Sequence, residues 1–173
     1  MSGGGVLLVC GSRLFEDAPE RVRAWAHQRL HLQLHGDQCP ETLVVGDARG
    51  IDAWAAASWD GDLVVVGRDG WVTRWHGPLE RSVVEVRWTS APPPADGDRA
   101  AWRERLLSRD RVMVRWLARQ PRPRRAVGII HPGSRTRGSQ YTLQQAELAG
   151  IESVQELVCP RELLIDGGGH RGA

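Results

Sequence analysis

The chain contains no lysine, so all 23 of its formally cationic side chains are arginine. It has one phenylalanine, one tyrosine and two methionines. Its three cysteines, Cys10, Cys39 and Cys159, form an odd set with no C-x-x-C pair. That argues against a disulfide framework and a cysteine zinc site, and it fits a reducing cytoplasm. No apolar run approaches the roughly 20 residues that a transmembrane helix needs, so no membrane role is expected. Met1 to Gly5 lacks the basic n-region of a secretory signal. There is no internal repeat, no G-x-S-x-G elbow, no P-loop ending and no G-x-G-x-x-G fingerprint. No metal site is expected.

At 173 residues the chain is long enough for one good core and short for two. A single domain is expected over 1–165, with a flexible glycine-rich tail over 166–173. The formal net charge is only +2, but it is unevenly spread. Ten arginines stand between Arg99 and Arg125, against Glu104 and Asp110. Such a run is either a solvated helix surface or an anion-binding and nucleic-acid face.

Two short loops are the most informative feature. Val6 to Cys10 is a buried-strand pattern running into Gly11-Ser12-Arg13. Thr42 to Val45 is another, running into Gly46-Asp47-Ala48-Arg49-Gly50-Ile51-Asp52. Each is followed by a helical pattern: Pro19–His35, capped by Asp17 and stopped by Gly36, and Ile51–Trp59. In a parallel α/β sheet such turns line the crevice at the strand C-termini, where ligands bind. Free N–H groups there favour anions, and arginine forks onto phosphate or carboxylate. In this reading Gly50 admits a ligand oxygen against the backbone, Arg49 pairs with phosphate, and Asp52 caps its helix or holds a ribose. Ser12 is a candidate cap for the segment after the first turn.

Beyond Gly61 the pattern turns β-rich. Leu63–Val66 and Trp71–Trp75 flank Arg68-Asp69-Gly70, a hairpin signal. Val83–Trp88 reads as a further strand, and 61–82 as an inserted hairpin. Asp98–Arg119 reads as a long helix with Trp102, Leu106, Met113 and Leu117 on one stripe. Arg109 falls within that stripe and must be paired, snorkel, or face a cleft. Asp110 is its neighbour in sequence, a partner only if the helix is distorted. Ala126–Ile130 is a buried strand, followed by a third glycine-bearing turn over His131, Pro132, Gly133, Ser134, Gly138 and Ser139. A helix over Ser139–Ala149, stopped by Gly150, and a strand over Ser153–Val158 complete the chain. The alternation implies a Rossmann-like α/β fold: a doubly wound, mostly parallel sheet with helices on both faces.

His27, His31 and His35 recur every four residues, a spacing that can hold a metal but here lacks a carboxylate on the same face. Of the eight tryptophans, Trp25, Trp54, Trp59, Trp102 and Trp116 fall in amphipathic helices and read as core or interface. Carboxylates near the expected crevice are few. Asp47 and Asp110 are the catalytic candidates if there is catalysis.

Taken together, Cys10 to Phe15, Gly46 to Asp52, Arg109-Asp110-Arg111-Val112-Met113 and Pro132-Gly133 to Gly138-Ser139 resemble the small YspA/YpsA-related members of the SLOG superfamily, over roughly Val6 to Val158. The resemblance implies a domain that binds a nucleotide or an NAD- or ADP-ribose-like ligand across these turns, in some members as a sensor. It also implies a homodimer. Two other activities occur in the superfamily: N-glycosidic hydrolysis of nucleoside monophosphates in LOG enzymes, and single-stranded DNA binding in Smf/DprA proteins. The chain departs from the pattern at Asp47, where a glycine is common, and at Asp110, where asparagine is. It departs again at Thr142, which aligns with the LOG catalytic glutamate. LOG-type hydrolysis would therefore need Asp47 or Asp110 in its place.

Overall fold

The computed structural model describes residues 4–77, 80–135 and 137–165; the expected tail, 166–173, lies outside them. Among the described residues the protein is an α/β molecule with one seven-stranded mixed sheet and four α-helices. In chain order the elements are β1 (Val6–Gly11), α1 (Glu20–His35), β2 (Thr42–Gly46), α2 (Ile51–Ala57), β3 (Asp62–Val66), β4 (Trp71–His76), β5 (Glu80–Arg87), α3 (Arg99–Ala118), β6 (Arg124–Ile130), α4 (Gly138–Leu148) and β7 (Ser153–Val158). The sheet order is β5-β4-β3-β2-β1-β6-β7. β3, β2, β1, β6 and β7 run parallel, whereas β4 and β5 add an antiparallel extension at one side.

β1 and β2 show no polar alternation because both of their faces are covered. Alternate side chains enter two separate cores. On one face, Leu7, Val9, Leu43 and Val45 meet Val22, Ala26, Leu30 and Leu34 of α1 and Ile51 and Ala55 of α2. On the other, Leu8, Val44, Val64 and Ala126 meet Met113, Val114 and Leu117 of α3 and Leu143 and Ala146 of α4. The chain therefore travels outward from β1 through β2 to β3 and β4, then crosses by way of α3 to build β6 and β7 on the opposite side of β1. The order of strands reverses between β1 and β6.

Several local expectations are corrected. Asp17 does not cap α1; Pro19 occupies the N-cap, and its carbonyl accepts from the N–H groups of Val22 and Arg23. α2 ends at Ala57, two residues short of Trp59. The segment 61–82 divides: Asp62–Val66 pairs in parallel with β2, and only then does the chain turn back into β4. The inward stripe of α3 is also different. Met113 and Leu117 are buried, but Trp102 and Leu106 are only half-buried, and Arg105, Arg109 and Asp110 are buried instead. Asp98, expected as the first residue of the helix, instead caps α3, its carboxylate accepting from the Ala101 N–H at 3.0 Å. All eight tryptophans are half-buried. Among the described residues no helix is long and apolar enough to cross a membrane.

Candidate functional site

The turn after β1 and the turn after β6 are stitched together. Ser12 is buried, its N–H donates to the Ile129 carbonyl, and its hydroxyl accepts from the His131 N–H, both at 3.0 Å. Ser12 therefore does not cap the short 3-10 turn that follows it; its side chain is committed across the strand pair. These two turns open onto a cleft of about 190 Å³. Ser12, His131, Pro132, Ser134, Ser139 and Gln140 line it, and so do Glu156 on β7 and Arg161 just beyond it. Gly138 begins α4, so the first N–H groups of an 11-residue helix have no intrahelical acceptor at this edge. His131 sits edge-on to Phe15 at 5.3 Å, and its Nδ1 accepts from the Gly133 N–H at 3.0 Å. Burial holds its pKa below the ordinary imidazole range, which favours the neutral ring.

The turn after β2 packs on the turn after β1. Gly50 has φ +78°, and a Cβ there would stand 2.9 Å from the Ser12 carbonyl oxygen and 3.1 Å from the Arg13 Cα. Its freedom thus serves the contact of one turn with the other rather than the approach of a ligand oxygen. Gly11 is held for a similar reason, since a Cβ would fall 2.4 Å from the Ile51 side chain. Arg49 reaches outward and pairs with Glu16 at 2.8 Å.

Beneath this second turn lies a buried charged floor. Arg109 donates from Nη1 to Asp47 at 2.6 Å, and from Nε and Nη2 to Asp110 at 3.1 and 2.9 Å. The adjacent pair closes within an unbroken helix. Successive side chains diverge around a helix, but the long arginine stem bends its guanidinium back to the neighbouring carboxylate. Asp52 is 2% exposed and does not cap α2, whose N-cap Gly50 receives no side-chain bond. It lies instead against the Gly46 N–H and Arg109, and burial pushes its pKa up to about 7. Burial also raises Asp110, with Arg109 and the Thr142 hydroxyl opposing the shift. Burial works against the charge on Arg109 too, but Asp110, Asp52 and Asp47 outweigh it, and the guanidinium stays charged. Cys10 is buried above this group. Desolvation and the nearby Asp52 and Asp110 lift its thiol far above the usual range, so it is no nucleophile.

A shallow notch of about 40 Å³ opens over the floor, lined by Arg13, Asp47, Ala48, Arg49, Arg68 and Arg109. Arg68, in the β3–β4 turn, reaches it from the hairpin: its N–H donates to Asp47 at 3.0 Å and its guanidinium lies 3.6 Å from the same carboxylate.

The sequence-predicted residues thus fall into three groups. Ser12, His131, Pro132, Ser134 and Ser139 line the cleft, with Gly133 and Gly138 in the same loop. Arg13, Asp47, Ala48, Arg49 and Arg109 line the notch. Gly11, Gly46, Gly50, Asp52 and Asp110 lie beneath or between them. Asp110, 4% exposed and bound to Arg109, does not reach the cleft. The carboxylate that does is Glu156, which accepts from the Gln140 amide at 3.0 Å. Glu156, Arg161 and Arg68 carry no local motif; only strand order brings the first two beside β6, and only the hairpin brings the third to Asp47.

The arginine run does not form one continuous charged face. Arg105 and Arg109 are buried, and Arg124 pairs with Glu152 at 2.5 Å. Two histidines of the stripe meet tryptophan: His27 stacks on Trp54 at 4.0 Å, and His35 is tilted toward Trp59 at 6.1 Å. No group of three metal-ligating side chains occurs among the described residues. No family model, curated protein or solved structure matches the chain.

Proposed function

We propose that the protein binds a nucleotide or nucleotide-derived ligand in the crevice at the C-terminal ends of β1, β2 and β6, within a Rossmann-like, doubly wound architecture of SLOG type. The observation that carries this reading is the cleft at the reversal of strand order. It is framed by the stitched Ser12 and His131 turns and by the N-terminus of α4. Ligands of open α/β sheets bind at such reversals, and helix N-termini favour phosphate. The cleft offers hydroxyls, backbone N–H groups, one guanidinium and one carboxylate, a set suited to a phosphate joined to a hydrogen-bonding head group. Hydrolysis through Asp110 finds no support, because that carboxylate is enclosed and tied to Arg109.

Calorimetric titration with AMP, ADP-ribose, NAD and cyclic ADP-ribose tests the reading. Saturable binding of at least one is expected, accompanied by thermal stabilisation of about 2.7 kcal/mol when the ligand is present at about 100 times its Kd. No binding of any of them at millimolar concentration would overturn it.

A further inference from the structure

The notch beside the cleft is lined by four arginines and a single carboxylate, Asp47, and that carboxylate sits in the middle of them. It takes the Arg109 Nη1 donor at 2.6 Å, the Arg68 backbone N–H at 3.0 Å and the Arg68 guanidinium at 3.6 Å. Arg109 has a second carboxylate, Asp110, which accepts from its Nε and Nη2. Arg109 is 6% exposed and fixed on the long helix, and its Nη1 is held at one place, against Asp47. That place has the makings of an anion seat: a buried guanidinium, a backbone N–H, and a second guanidinium on a turn. In the free protein the chain fills it with its own side chain.

We propose that Asp47 is an internal plug in a phosphoryl seat, and that the seat accepts a terminal phosphoryl dianion by displacing it. This rests on the nucleotide reading only for the nucleoside end of the ligand. Charge decides which group can enter. Replacing one carboxylate by another monoanion gains no attraction from Arg13, Arg68 and Arg109, and the incoming group must be ordered as well. A phosphomonoester carries about −1.5 to −2 at neutral pH and offers three strong acceptor oxygens. It can therefore satisfy the donors that Asp47 leaves and engage the exposed Arg13 and Arg68 besides. A phosphodiester, with one charge on each phosphorus, lacks that advantage. The plug thus selects dianionic phosphoryl groups, as in a nucleoside monophosphate or free phosphate, over diesters and carboxylates. Arg68 carries the selection to the hairpin turn, since both its N–H and its guanidinium are held by Asp47.

The test is titration with inorganic phosphate, AMP, adenosine and NAD. It uses the unaltered protein, Asp47→Asn, Asp47→Ser, and Asp47→Asn combined with Arg68→Gln. Asp47→Asn should tighten inorganic phosphate and AMP by about tenfold, the factor by which a seat open about a tenth of the time weakens apparent affinity. Asp47→Ser should act in the same direction, and Arg68→Gln should remove the gain. In the unaltered protein AMP should bind more tightly above the second phosphate ionisation, near pH 6, than below it. NAD should show no such step beyond what Asp52, Asp110 and His131 impose on both ligands alike. Folded Asp47 variants with unchanged or weaker phosphate affinity would overturn the plug, as would an AMP affinity that tracks NAD across pH. Binding of NAD with no effect of Asp47 would leave the nucleotide reading standing without the plug. A gain for inorganic phosphate with no binding of any nucleotide would do the reverse.

Discussion

The cleft between Ser12 and His131 and the charged floor under Asp47 lie at the same edge of the same sheet, yet they are built in opposite ways. The floor is enclosed and self-satisfied: Arg109, Asp110 and Asp52 spend their hydrogen bonds on each other and on Gly46 and Asp47. The cleft is open, and its charged side chains, Glu156 and Arg161, are exposed. A buried ion pair is weak evidence for added stability, because desolvation offsets most of its attraction, but removing one partner leaves a stranded charge. An exposed polar group costs almost nothing to change. The floor therefore anchors the turn after β2 to α3, and the cleft is where the turns after β1 and β6 meet solvent.

Arg109→Met gives the comparison its hardest test. It strands the buried Asp110 beside Asp52, while Asp47 keeps Arg68, and unfolding free energy from denaturant titration should drop by about 3–5 kcal/mol. A loss below about 1 kcal/mol, the worth of an exposed pair, would show that the floor is wetter than its burial implies.

Protons give the next test. The folded pKa of Asp52 is raised by burial to about 7 from the ordinary carboxylate value of 3.8. The native state therefore holds a proton that the unfolded chain releases, and the stability contributed falls as pH rises from about 4 to 7. Asp110 shifts in the same direction and adds to the slope, whereas lowered His131 opposes it. Asp52→Asn carries no ionisation, so its stability relative to the parent should rise across that window, at the steepest by about 1.4 kcal/mol per pH unit. Parallel stability curves for the two proteins would remove Asp52 from the charged floor.

The smallest effect is expected in the cleft. Glu156→Gln and Arg161→Gln should each leave unfolding free energy within about 0.5 kcal/mol of the parent while weakening whichever nucleotide binds. Substantial destabilisation by either would make the cleft a structural feature like the floor, and the contrast would dissolve.

The sequence makes the scaffold plain where burial on two faces imposes unbroken apolar runs, as at Val6–Cys10 and Thr42–Val45. Asp-Gly at 69–70 announces a turn through its φ preference, and the start of α3 is read to within one residue at Asp98. The strand β6 reads two residues short because Arg124 and Arg125 interrupt the apolar pattern. Arg124 is nevertheless buried, its guanidinium reaching Glu152 and the Ala118 carbonyl. Arg105 is hidden for the same reason. A charged letter at an inward position looks solvated, yet its Nε and Nη1 bond the carbonyls of Arg68 and Ala91. At the candidate site, the turns are legible because glycine and small polar residues punctuate the runs. Which turn residues face a ligand and which face each other is a matter of packing across more than 100 residues of chain, and no local spacing records it. Gly50 illustrates the limit: its place in the turn is readable, but the Ser12 and Arg13 backbone that crowds it is not.

The turn that carries Arg68 has a consequence for light as well as for charge. Its guanidinium, besides meeting Asp47, lies 5.8 Å from the centre of the Trp102 ring. A cation held over an indole face interacts with its π electrons, and a displaced cation changes the energy of the light the indole emits. Trp102 is therefore an intrinsic optical gauge of where Arg68 stands, with no label to attach, and a Trp102→Phe difference spectrum separates its signal from the other seven rings.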